Sequence, residues 1–222
     1  MMDNIQEKLQ RPFEAKEIEY RVQQSGEKNG KVWAMVLAYV TNRAVMDRLD
    51  EVFGVGGWKN EYLPTPSMDG VMCGISAKIN GEWITKYDGA ENTQVEAVKG
   101  GLSSAMKRTA VQFGIGRYLY NLESNFATIV ENRTPNSKSA KTKNGTWFNW
   151  IAPELPNFAL PITHEQIKII NELVKRKGAD LNKMLNFYKL SNIENTTKEL
   201  GVNMIQALSK KEDIKDETAK EN

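Results

Sequence analysis

Val71 to Ile79, VMCGISAKI, alternates strictly from one side chain to the next and runs directly into Asn80-Gly81. A two-residue Asn-Gly loop suits the type I′ turn, in which both central residues need positive φ, and that turn joins two antiparallel strands. The stretch therefore predicts a hairpin with a fixed register: Lys78 opposite Trp83, Ser76 opposite Thr85 and Gly74 opposite Tyr87. One face of it is apolar, through Val71, Cys73, Ile75, Ala77, Ile79 and Ile84, and must be covered. The other carries a lysine, a tryptophan, a threonine and a tyrosine.

A cover follows in the chain. Thr93 to Leu122 is the longest helix-like run, with Val95, Val98, Leu102, Ala105, Met106, Thr109 and Phe113 on one apolar stripe. Opposite lie Ala97, Gly100, Gly101 and Ser104, nearly bare backbone, with Lys107 and Arg108 just beyond. A glycine inside a helix costs about 1 kcal/mol relative to alanine. Two in succession imply that something approaches closely, either a neighbouring helix or a phosphate chain gripped by the basic pair.

Asp3 to Gln10 reads as a short helix. Ile18–Gln23 and Lys31–Val40 read as strands joined by the turn residues SGEKNG, the second apolar on both faces and so expected to be buried on both. Thr41 or Asn42 can cap a helix carrying Val45, Leu49, Val52 and Phe53, with Asp47, Arg48, Asp50 and Glu51 as its solvated face; Gly54, Gly56 and Gly57 end it before Trp58 opens another strand. The composition of TPNSKSAKTKNG, Thr134 to Gly145, is that of a mobile linker or loop, and an aromatic and proline-punctuated segment follows it. Thr163 with Gln166 and Thr196 with Glu199 form capping boxes, Asp180 caps a helix and Gly178 ends one. The expected organisation is α+β: antiparallel hairpins packed on a long helix over 1–133, a linker over 134–160, a small helical module over 161–209 and a disordered charged tail over 210–222.

Catalytic readings fare poorly. No GxxxxGK[ST] loop is present, and the glycines of FGVGGW and FGIG follow helices, where termination explains them. His164 is the only histidine and Cys73 the only cysteine, which leaves no metal site of that kind and no intramolecular disulfide. The N-terminal residues carry no signal-like apolar core, the longest apolar stretch is too short to span a membrane, and a reducing cytoplasm is the expected compartment. A formal net charge of +2 gives no bulk attraction for nucleic acid, so any binding must come from locally gathered cations. Lys78, Trp83, Lys86, Tyr87, Lys107, Arg108 and Arg117 are such an interleaving of basic and aromatic residues, the composition with which single strands are held.

The order of elements, with VFGVGGW (Val52 to Trp58) ahead of a hairpin and AMKRTAVQFGIG (Ala105 to Gly116) ending the long helix, resembles the Rad fifty-two single-strand annealing proteins, the bacteriophage Sak members above all. The resemblance covers roughly residues 12 to 122. It implies a β-β-β-α core assembled into homo-oligomeric rings or helical filaments, with single-stranded DNA in a basic groove and complementary strands annealed without ATP, metal or other cofactor. It assigns DNA contact to Lys107 and Arg108, and to Arg43 within about one residue. Lys59, Lys78, Lys86 and Arg117 join them from predicted placement. The expected function is single-strand binding and annealing in recombination and repair, with no enzymatic step. The alternative is an oligomeric DNA-end scaffold that recruits a nuclease or a single-strand-binding protein through 161–209.

Overall fold

Two of the three Asn-Gly pairs form two-residue turns between strands in the computed structural model, which describes residues 5–66, 69–91, 97–123 and 125–214. Asn80 and Gly81 take φ of 53° and 88° between β4 (Gly70–Ile79) and β5 (Glu82–Glu91), and every pairing expected across that hairpin is present. Asn29 and Gly30, at 54° and 73°, do the same between β1 (Ile18–Lys28) and β2 (Lys31–Val40). The first strand thus continues through SGEK, which sequence composition assigned to the turn. A bulge lies between Val22 and Gln24, so the register changes by one residue along the hairpin.

The chain divides into two compact units, Glu14–Leu155 and the pair of terminal segments Met1–Phe13 with Pro156–Asn222. The first unit holds three antiparallel sheets in the orders β1-β2-β6, β3-β4-β5 and β7-β9-β8. Here β3 is Trp58–Pro64, β6 Asn125–Phe126, β7 Thr128–Val130, β8 Lys138–Lys141 and β9 Trp147–Ile151. Helix α2 (Asn42–Phe53) joins the first sheet to the second, and α3 (Ala97–Gln112) covers the apolar face of the second. Ala105, Met106, Thr109, Ala110 and Phe113 are buried along with Cys73, Ile75 and Ala77, and the Thr109 hydroxyl donates to the Cys73 carbonyl at 2.9 Å. Val95 of the expected stripe and residues 215–222 of the expected tail lie outside the described residues. Gly101 is buried and Gly100 and Ser104 are half-buried on α3.

The FG-x-x-GW turn has a local cause. Thr41 caps α2 by accepting from the Ala44 amide, and Gly57 passes so near the Phe53 carbonyl that any Cβ there would overlap it. The Trp58 indole N–H then donates to the Asp50 carboxylate at 2.6 Å. Arg48, expected on a solvated face, is buried at 4% exposure and pairs with Glu51. Strand β2 departs from expectation too. Ala34, Val36 and Val40 are buried, whereas Leu37 on the other face is 39% exposed and Trp33, Met35 and Tyr39 are half-buried.

The segment 134–160 is not an unstructured connection. Lys138–Lys141 pairs with Trp147–Ile151, which pairs in turn with β7, and Phe148 and Trp150 are buried. Low hydrophobicity around Lys138 suggested a linker; the apolar anchors sit one turn later, in TWFNW.

In the second unit α4 (His164–Arg176), α5 (Leu181–Phe187) and α6 (Lys198–Ser209) enclose Ile162, Ile170, Leu173, Leu185, Ile193, Met204 and Leu208. Thr163 and Gln166 form the expected capping box, and Asp180 caps α5. The cap of α6 is Thr197 rather than Thr196, which is buried. Helix α1 (Ile5–Gln10), expected with the core, joins this unit: the Glu7 carboxylate accepts from the Ser191 amide at 2.9 Å and hydroxyl at 2.8 Å. The start of the tail is ordered, with the Ile214 amide donating to the Arg176 carbonyl and Asp213 paired with Arg176 and Lys177. No helix among the described residues is long and apolar enough to cross a membrane.

Candidate nucleic-acid interface

Lys107 and Arg108 are neighbours in sequence but point about 100° apart on α3, and they meet different surroundings. The Arg108 Nε donates to Asp88 Oδ1 at 2.9 Å, and Gln112 reaches the same residue from the next turn. Arg108 remains 57% exposed.

Lys107 turns toward the first sheet. Its ammonium lies 4.4 Å from the centre of the Tyr39 ring, whose hydroxyl donates to Glu19 at 2.7 Å. Glu19 and Arg21 reach this face because of the bulge: pairing beyond it is Glu19 with Tyr39 and Arg21 with Leu37. Burial lowers the Lys107 pKa, the Arg21 charge lowers it further and Glu19 opposes them. Burial, followed by the bond to Glu19, pushes Tyr39 up to about 12, so it stays a neutral donor. Neither Lys107 nor Arg21 forms a hydrogen bond or salt bridge with another described residue. Lys107, partly withdrawn from water, thus stands over an aromatic ring with the Arg21 charge near it and the Glu19 carboxylate opposing. A phosphate oxygen would relieve that imbalance of charge.

Lys59 and Lys78 come together elsewhere, on the face of β3-β4-β5 turned away from α3. Lys78 is paired with Trp83, which is 47% exposed, and the Lys59 ammonium lies 5.3 Å from the same ring. Ser76 and Thr85 share a hydrogen bond of 2.8 Å in the row beside them. Glu61 is on this face as well, accepting from Tyr87 at 2.6 Å, and the absence of a side chain at Gly74 lets the Tyr87 ring lie across the central strand.

Lys86 and Arg117 converge on the end of α3. The Lys86 ammonium donates to the Gln112 carbonyl at 2.8 Å and lies 4.9 Å from the Phe113 ring; Arg117 donates to Gln112 at 2.8 Å and to Val111 at 2.9 Å. The last carbonyls of a helix lack intrahelical donors and carry partial negative charge, so cations there complete the helix. Arg43 occupies an exposed position in the first turn of α2. The expected set is therefore dispersed over five places. Arg21 and Tyr39, which sequence reasoning passed over, stand beside Lys107.

A family model described as Rad52/22 family double-strand break repair protein matches residues 1–70 and 68–138. The chain belongs to the Rad52/22 family. The matched stretches contain all seven expected contacts, together with Arg21 and Tyr39. Among curated relatives, the single-stranded DNA-binding protein DdrA of Deinococcus radiodurans is 32% identical over 171 residues, 74% of this chain and 71% of that protein. The protein of the same name from Deinococcus deserti is 31% identical over 172 residues, 74% of each chain.

Proposed function

We propose that this protein binds single-stranded DNA and anneals complementary strands in recombination and repair, with no bond made or broken. The arrangement that carries the reading is Lys107 poised 4.4 Å from the Tyr39 ring beside Arg21, neither cation having a hydrogen bond or salt bridge to another described residue. Membership of the Rad52/22 family and similarity to proteins called single-stranded DNA-binding support it. Phosphates engage Lys107 and Arg21, and Arg108, Lys59 and Lys78 extend the charged path. Binding depends steeply on salt and little on base sequence. The work is placed in the cytoplasm.

The acting form is a homo-oligomer, a ring or filament. Leu37 at 39% exposure and Phe126 at 58%, with Trp33 edge-on to Phe126 at 6.4 Å, leave an apolar strip on the sheet that a second copy can cover. Light scattering and electron microscopy of Leu37→Glu and Phe126→Glu test this; unchanged assembly in both would locate the contact elsewhere.

Titrating labelled single strands with wild type and Lys107→Ala tests the DNA reading. We expect roughly tenfold weaker binding of all sequences and a parallel loss of annealing. Full annealing by the variant would refute the assignment. A scaffold role remains the second reading, favoured by Phe187, which stands 79% exposed at the end of α5 with Tyr188 edge-on at 5.1 Å. Under it, Phe187→Ala leaves annealing by the purified protein intact.

A further inference from the structure

Beyond residue 138, where the family match ends, the β8–β9 hairpin carries Trp147 at 70% exposure. An exposed tryptophan of that degree on a well-built turn needs a reason. The turn is held by the Thr142 side chain, which is buried and accepts from the Thr146 amide at 3.1 Å, while the Thr142 amide donates to the Thr146 carbonyl at 2.9 Å. On the inner face Phe148 and Trp150 are buried, and the Lys138 ammonium donates to the Tyr20 carbonyl at 3.1 Å. Trp147 is therefore presented outward from a fixed base.

The hairpin's own charges are all of one sign. Lys141 is its cross-strand partner, with the ammonium 5.8 Å from the ring, and Lys143 lies exposed in the turn. No aspartate or glutamate occurs between Glu131 and Glu154. Lys138 is committed to the fold, whereas Lys141 and Lys143 are both exposed. An apolar docking site would not require two lysines, and an acidic peptide would not require an open indole face. An exposed ring with one lysine beside it and a second exposed lysine in the adjoining turn fits an unstacked base on its own backbone.

We propose that the β8–β9 hairpin is a second single-strand contact, in which Trp147 stacks on a base and Lys141 and Lys143 hold the adjoining phosphates. The proposal rests on the single-strand reading above and adds a site outside the stretch shared with the family model. Because stacking needs a base free of its pair, the hairpin prefers single strands to duplex. It would hold a strand at points separate from the Lys107 cluster.

The test uses the full chain. A single-stranded oligothymidylate carrying 4-thiothymidine is photocrosslinked to wild type and the adduct located by mass spectrometry; the expected adduct is on Trp147. In parallel, Trp147→Ala weakens single-strand binding roughly tenfold, Trp147→Phe retains it within about twofold, and duplex binding is the same in all three. Lys141→Ala with Lys143→Ala lowers the salt slope by about 1.4. Wild type that binds single strands and yields adducts only elsewhere overturns the hairpin proposal and leaves the Lys107 reading standing, as does equal binding by Trp147→Ala. Wild type that binds no single strand overturns both. Because the crosslink is read on the unaltered protein, a misfolded variant does not obscure the answer.

Discussion

Two basic clusters flank α3, and they use their charge in opposite ways. At the helix end, Lys86 and Arg117 place their donors on the carbonyls of Gln112 and Val111, so their charge completes the fold. One turn back, Lys107 meets an aromatic face and a like charge and no described acceptor within hydrogen-bond reach. Both clusters combine cations with rings: Lys86 lies 4.9 Å from Phe113 and Lys107 4.4 Å from Tyr39. Composition cannot separate them. Accounting for where each N–H goes can, since a satisfied cation has little left to offer a phosphate.

The strongest way to break the comparison is to remove both cations that lack a hydrogen bond or salt bridge among the described residues. Arg21→Ala combined with Lys107→Ala is expected to weaken single-strand binding roughly a hundredfold, at about 1.5 kcal/mol for each charged contact, and to lower the salt slope by about 1.4. Circular dichroism melting should show little change. Binding within threefold of wild type would mean that the DNA path lies elsewhere.

The helix-end cluster predicts the converse. Lys86→Met keeps the aliphatic packing and deletes one donor to Gln112, so the melting temperature should fall by about 2–4 °C for a loss of about 1 kcal/mol. Affinity for single strands should stay within about twofold. If Lys86→Met weakened binding as much as Lys107→Ala, the division between the clusters would be wrong.

A pH titration sharpens the division without altering the fold's contacts. The Lys107 pKa lies below that of an ordinary lysine, chiefly through burial. Its charge is therefore lost at a lower pH than that of solvent lysines, while a bound phosphate favours the protonated form. Affinity should decline as alkaline pH passes through the lowered value, with proton uptake on binding there. The linkage to stability has the opposite sign: the unfolded chain binds the extra proton, so this residue's contribution to stability rises with pH over that window. Lys107→Arg should flatten the affinity profile, because guanidinium stays charged. An identical profile in that variant would assign the titration to another group.

How these clusters arise explains what could be read from the sequence. Asn80-Gly81 dictated its hairpin because turn chemistry and alternation agree, and by the same alternation Lys86 falls opposite Ile75 on the helix-covered face. Arg21 and Tyr39 were hidden for a different reason. Asn29-Gly30 alone would pair Tyr39 with Tyr20; the bulge at Gln23 shifts the register so that Glu19 and Arg21 face outward with Tyr39. A bulge of one residue leaves little trace in composition, yet it decides which charges reach Lys107. The apolar outer face of β2 was read as buried, and Leu37 remains exposed because sequence pattern does not say which molecule supplies the cover. TWFNW was legible as aromatic, while the lysines and turn residues before it masked the sheet that it anchors.

The smallest effect is expected at Arg108, and it is the finest test of the donor argument. Its salt bridge with Asp88 is 57% and 26% exposed on its two sides, so its own contribution to stability should be at most about 1 kcal/mol. Arg108→Ala should weaken single-strand binding by less than about threefold, well short of Lys107→Ala, although the two residues are adjacent and carry the same charge. Asp88→Asn should do the reverse: it releases the guanidinium from a carboxylate and removes a negative charge from the path, so affinity should rise by a few-fold and fall back when Arg108→Ala is added. A double-mutant cycle read by titration at fixed salt measures that coupling. If Asp88→Asn tightened binding equally with or without Arg108, the gain would be general charge, and the local bond between Asp88 and Arg108 would have no part in setting how strongly a strand is held.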